Sequence, residues 1–142
     1  MEDFSILVVD DEADFTETAV KRMQKRNLDA AGATSGEQAL ELMKTHRIDV
    51  VVLDIRMPGG MDGIRTLREI KRMQPLVEVI LLTGHASIET CIEGMKIGAF
   101  DYLLKPVKLD NLMVKIKEAF EKKRTHEEKI RKAMPVKTPP AP

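Results

Sequence analysis

Short apolar runs alternate with amphipathic stretches over the first 120 residues. Ser5 to Val9 (S-I-L-V-V) predicts a buried strand. Residues 13 to 26 carry Phe15, Ala19 and Met23 at i, i+4 and i+8 with charges between them, the spacing of an amphipathic helix. Leu28 to Ala33 predicts a weak second strand. Ser35 opens the next helix, with Gln38 three residues on in a capping-box pattern. Asp49 to Leu53 (D-V-V-V-L) is β-branched and apolar at successive positions, as a central parallel strand buried on both faces requires. Ile64, Leu67 and Ile70 mark a third helix closed before Pro75. Val77 to Leu82 predicts a fourth strand, Ser87 to Lys96 a fourth helix, and Ala99 to Leu104 a short fifth strand ended by Lys105-Pro106. Leu112, Ile116 and Phe120 begin a fifth helix.

Five strand–helix units in order predict an α/β fold, a parallel sheet with helices on both faces. No internal repeat is visible. After Phe120 the pattern fades into a charged stretch, E-K-K-R-T-H-E-E-K-I-R-K, with no sustained apolar stripe. Residues 4 to 122 are therefore read as one domain, and 123 to 142 as a charged helical extension with a Pro-rich, disordered tail. The extension is a solvated helix, a dimer stem or a remnant of a linker.

Composition narrows the function classes. Lys plus Arg and Asp plus Glu both number 23, so no net charge favours nucleic acid or an anionic membrane. No apolar run reaches membrane-spanning length and no leader is visible, so a cytoplasmic protein is expected. Cys91 is the single cysteine, which excludes an internal disulfide. His46, His85 and His126 lack the spacing of a zinc motif. The nine methionines are read as adaptable packing, although Met57 and Met61 flank two glycines where a partner could bind.

The candidate chemistry lies at predicted strand ends. Asp10 and Asp11 follow the first strand, Asp54 the third, Thr83 the fourth and Lys105 the fifth. In an open parallel sheet the carboxyl ends of the strands form the ligand crevice. Crowded carboxylates repel one another, and a hard divalent cation such as Mg²⁺, which prefers oxygen ligands, relieves that. A carboxylate can also attack phosphorus to give an aspartyl phosphate, whose charge a lysine ammonium and a threonine hydroxyl would stabilise. Taken singly, each residue has a plainer reading. A D-D-E triplet is commonly a helix cap, Thr83 a strand-end residue, Tyr102 half-buried core and Lys105 a solvated charge.

Taken together these residues resemble the response-regulator receiver domain of two-component signalling. The matching stretches are V-V-D-D-E at 8 to 12, D-V-V-V-L-D-I-R-M-P at 49 to 58, M-D-G at 61 to 63, L-L-T-G-H at 81 to 85 and G-A-F-D-Y-L-L-K-P at 98 to 106. The resemblance covers about residues 4 to 120. It implies a flavodoxin-like sheet of five parallel strands in order 2-1-3-4-5 with five helices. It implies that Asp54 is the phosphoacceptor. Asp11, Asp54 and the Arg56 backbone carbonyl would bind Mg²⁺, with Asp10 acting through water. Lys105 would pair with the phosphoryl group. Thr83 and Tyr102 would form a switch pair that alters the face of helix four, strand five and helix five. The Lys105-Pro106 bond is often cis in this family. Arg56 and His85 would tune phosphate lifetime, with slow self-dephosphorylation expected.

The resemblance further implies a sensor histidine kinase or histidine phosphotransfer protein as donor and a protein target, with homodimerisation through the same face a further option. No DNA-binding output fits after residue 120, so output is by protein contact or through a domain absent from this chain. One departure is Gly59-Gly60-Met61, one residue more than most members have, which predicts a longer and looser loop. Two rivals fit less well. A phosphatase turning over through an aspartyl phosphate would want an acid where Arg56 stands, and a flavin-binding protein would want a phosphate loop where Asp10 and Asp11 stand.

Overall fold

The computed structural model describes residues 4–84 and 88–134. Strands and helices alternate: β1 Ser5–Val9, α1 Ala13–Lys25, β2 Asp29–Ala33, α2 Gly36–Thr45, β3 Val50–Asp54, α3 Gly63–Met73, β4 Glu78–Thr83, α4 Ile88–Ile97, β5 Asp101–Leu104 and α5 Leu109–Ala133. The strands are all parallel and lie in the order β2-β1-β3-β4-β5. The expected order is therefore found.

Side-chain alternation sorts each strand onto two cores. Leu7, Val9, Val51, Leu53, Val79 and Leu81 pack with α2 and α3 through Ala39, Met43, Leu67 and Ile70. Ile6, Val8, Val50, Val52, Ile80 and Leu82 pack with α1 and α5 through Met23, Leu112 and Ile116. The central strands are buried at every position, which is why they read as unbroken apolar runs rather than alternating ones. The short edge strand β5 alternates between half-buried and exposed positions, with Tyr102 and Leu104 facing out.

Element boundaries move by one to three residues from the sequence reading, mostly at strand ends, where the hydrophobic pattern has no marker. The capping box of α2 is offset. Ser35 accepts the Gln38 N–H as expected, but the Gln38 side chain accepts the N–H of Thr34, not of Ser35. The apolar pattern fades after Phe120, but helix α5 continues through the charged stretch and runs unbroken to Ala133. Ion pairs such as Lys123–Glu127 and Arg131–Glu128 brace it where an apolar stripe is missing. Among the described residues no helix is long and apolar enough to cross a membrane. The Pro-rich segment from Pro135 onward and His85 lie outside the described residues.

Candidate functional site

Parallel pairing brings strand ends that are far apart in sequence to one edge. Asp10 follows β1, Asp54 ends β3, Thr83 ends β4, and Lys105 follows β5. The pairings Val9↔Leu53, Asp54↔Leu82 and Thr83↔Leu104 set these ends side by side. Carboxylate oxygens of Asp10, Asp11 and Asp54 lie within 4.8 Å of one another. Asp10 and Asp54 are buried, while Asp11 faces solvent.

Each side chain is held by local structure. Asp10 accepts the Glu12 N–H at 2.9 Å, and the Thr16 hydroxyl donates to the Asp10 carbonyl at 2.9 Å, which ties the first turn of α1 to the end of β1. Asp54 accepts the Arg56 N–H at 3.2 Å. Gly63 opens α3 directly beneath this turn. A Cβ there would strike the backbone oxygens of Asp54 and Ile55, so only glycine lets the helix come this close. The Lys105 ammonium reaches back across the edge, 2.6 Å from Asp10, 3.4 Å from Glu12 and 3.8 Å from Asp54. Its amide donates to the Thr83 carbonyl at 2.8 Å, and the Lys105-Pro106 bond is cis.

The electrostatics of this edge are unbalanced. Burial, then the neighbouring Asp10 charge, pushes the Asp54 carboxyl up to about 6, against the opposing Arg56 amide and Lys105. For Lys105, burial works against the charged form. Hydrogen bonding and attraction to Asp10, then Asp54 and Glu12, outweigh it and raise the ammonium above the ordinary lysine value. Among the described residues the cluster of Asp10, Asp11 and Asp54 has one ammonium, paired with Asp10 and Asp54, and the site has surplus negative charge. A small dication with oxygen preference fits that donor set; Asp10, Asp11 and Asp54 would hold it.

Thr83 is buried at the floor of the crevice, and Tyr102 stands 42% exposed one strand away. Met57 is not partner-facing: its side chain is buried in the core with Ile55 and Leu67, because the chain turns inward after Arg56. The loop with the extra residue is tied rather than loose at its far end. Glu37, in the first turn of α2, accepts the Met61 N–H at 2.7 Å, and Asp62 caps α3 through the Arg65 N–H. Gly59 takes the left-handed φ of 87°, which explains a glycine there. Phe15, Thr16 and Glu37 were not legible as site neighbours. Their spacing marks helix turns, and nothing in it says which strand end those turns meet.

Comparison with known proteins agrees with this geometry. The response regulator receiver domain family matches residues 6–117. The transcriptional regulatory protein ZraR of Escherichia coli (strain K12) is 40% identical over 118 residues, which is 83% of this chain and 26% of that protein. The putative response regulator NtrX-like of Rickettsia bellii (strain RML369-C) is 35% identical over 126 residues, 88% of this chain and 26% of its own length. The chain therefore spans about a quarter of the length of these relatives. Among solved structures, NtrX from Brucella abortus in complex with ADP aligns with a TM-score of 0.87 at 29% identity, over 96% of this chain and 31% of that one. A CheY-like receiver domain protein from Methanospirillum hungatei JF-1 aligns with a TM-score of 0.83 at 25% identity, over 88% of this chain and 99% of that one. The chain belongs to the response regulator receiver domain family.

Proposed function

We propose that this receiver is switched by phosphorylation of Asp54 and relays that event to a protein partner. The observation that carries the reading is the uncompensated acid cluster: Asp54 lies with Asp10 and Asp11 in one oxygen-lined group and 3.8 Å from Lys105. Asp10, Asp11 and Asp54, with the Arg56 carbonyl, would hold Mg²⁺, which when bound neutralises charge on the transferring phosphoryl group. Asp54 supplies the attacking carboxylate oxygen; the bond between phosphorus and the donor's leaving atom breaks as the acyl phosphate forms. Lys105 balances the added charge, and Thr83 offers its hydroxyl to a phosphoryl oxygen. The domain assists its own phosphorylation and slow dephosphorylation and is otherwise no enzyme. The donor is a sensor histidine kinase or a histidine phosphotransfer protein.

The exposed Tyr102 beside buried Thr83 supports a switch in which Tyr102 turns inward as Thr83 moves. The face it would alter already bears exposed apolar side chains, Ile92, Leu104 and Val114 among them, suited to a protein target or a second copy. Residues 4 to 122 act as the receiver and the rest as an extension, in a cytoplasmic protein. The relatives named as transcriptional regulators are longer, and output here is exerted by protein contact or by a domain outside this chain.

Incubation with acetyl phosphate and Mg²⁺ is the direct test. Wild-type protein should gain acid-labile phosphate, and Asp54→Asn should gain none. Full labelling of that variant would refute the assignment. Beryllofluoride with Mg²⁺ should shift amides near Thr83 and Tyr102, and a silent spectrum would refute the switch.

A further inference from the structure

The Lys105 ammonium has a neighbour of a different kind from its carboxylates. It lies 5.0 Å from the centroid of the Phe15 ring, within the range at which an aromatic face attracts a cation. Phe15 sits in the first turn of α1, three residues after Glu12, and is half-buried. It also lines a cavity of about 380 Å³ with Val107, Leu109 and Leu112. One side of the ring thus borders open space, so close packing alone does not call for an aromatic residue here.

The partners of the ammonium differ in what they do when the site is used. Asp10 and Asp54 belong to the acid cluster and are drawn into cation and phosphoryl binding. Glu12 is exposed, and its pairing at 3.4 Å is screened by water. Among the described residues the Phe15 ring is the partner of Lys105 that neither titrates nor ligates a metal. Lys105 follows the edge strand β5, and its long side chain reaches the acid cluster from there with Phe15 on its other side.

We propose that Phe15 is a positioning residue for the phosphorylation reaction: its ring face keeps the Lys105 ammonium beside Asp54 when the neighbouring carboxylates are otherwise engaged. This rests on the reading of Asp54 as phosphoacceptor with Lys105 facing the phosphoryl group. Phe15 acts through Lys105 and makes no contact with the reacting atoms.

A double-mutant cycle on the full chain tests it. Beryllofluoride affinity with Mg²⁺ is measured by amide NMR titration for wild type, Phe15→Leu, Phe15→Tyr, Lys105→Met and the Phe15→Leu/Lys105→Met pair. Phe15→Leu keeps an apolar side chain but loses the ring face, and should weaken binding about two- to fivefold. Phe15→Tyr keeps the ring and should match wild type. In the Lys105→Met background Phe15→Leu should have no further effect. Equal weakening in both backgrounds overturns the proposal, as does unweakened binding by Phe15→Leu alone. Urea midpoints of the whole set establish that the variants fold, and Phe15→Met replaces Phe15→Leu if that variant does not. A wild type that binds no beryllofluoride would instead refute the underlying phosphoacceptor reading, so the two failures are distinct.

Discussion

Both ends of the central sheet bury carboxylates, but they treat them differently. At the amino end Asp49 precedes β3 and Glu78 starts β4. Asp49 meets Lys123 at 2.9 Å and Arg47 at 3.5 Å, and accepts the Ser5 N–H at 2.9 Å. Glu78 meets Lys122 at 3.3 Å and Lys71 at 3.6 Å. Each acid there has two cations and a fixed place. At the carboxyl end Asp10 and Asp54 share Lys105, the one ion-pair cation of the cluster among the described residues, Asp11 lies in the same cluster, and Asp54 is pushed up to about 6. Cations built into the fold close one end, and the other keeps a charge deficit that a dication and a phosphoryl group can resolve. The same element type, a strand end, is scaffold at one edge and site at the other, and the difference lies in the partners brought by helices.

Breaking the closed end should have the largest effect. Lys123→Met leaves Asp49 buried without its main cation and should cost about 3 kcal/mol in urea unfolding at pH 7. The Asp49→Asn/Lys123→Met pair should recover much of that loss. An unchanged midpoint in the single variant would show that the two ends do not differ as described.

Neutralising the open end should do the opposite. Folded Asp54 binds its proton more tightly than the unfolded chain does, since its pKa rises from 3.8 to about 6. The stability tied to this group is therefore fully present below pH 3.8 and is lost as pH rises through about 6. Asp54→Asn removes that loss. The full displacement corresponds to about 3 kcal/mol. The open crevice screens it, so a gain of about 1–2 kcal/mol is expected for metal-free protein at pH 7.5, vanishing below pH 4. Mg²⁺ at tenfold its Kd should stabilise wild type by about 1.4 kcal/mol and the variant by less, read from thermal unfolding. A destabilised Asp54→Asn protein would contradict the charge deficit.

The smallest effect belongs to charges at neither edge. Arg68 and Glu93 join α3 to α4 across 3.2 Å with both side chains about half exposed. Arg68→Ala should change stability by about 0.2–1 kcal/mol, less at high salt. A larger loss would mean that pairs outside the two edges matter more than burial predicts.

Much of this was readable from particular residues. The runs at Ser5–Val9 and Val50–Asp54 announced buried strands because both faces of each are covered. Met23, Leu67 and Ile116 announced the core sides of their helices for the same reason. Asp10, Asp11, Asp54 and Lys105 were legible as a group because strand ends carry polar residues that a buried run cannot. Lys123 was not, since within a charged helix nothing distinguishes the lysine that meets Asp49 from those that meet water. Met57 follows the packing reading given to the methionines: although it stands next to Pro58-Gly59-Gly60, the turn after Asp54 carries it into the core, so the partner-facing option does not hold for it.

The sequence by itself determined the alternation of strands and helices, the polar residues at the strand ends and the family to which they belong. These follow from local periodicity and short-range spacing, which the chain carries without folding. Only the tertiary structure decided that Lys105 rests between Asp10 and the Phe15 ring, that Glu37 ties down the glycine loop, and that Lys123 closes the far edge. Those pairings join residues 24 to 95 positions apart. Their geometry depends on how helices settle against the sheet, and no local pattern records that.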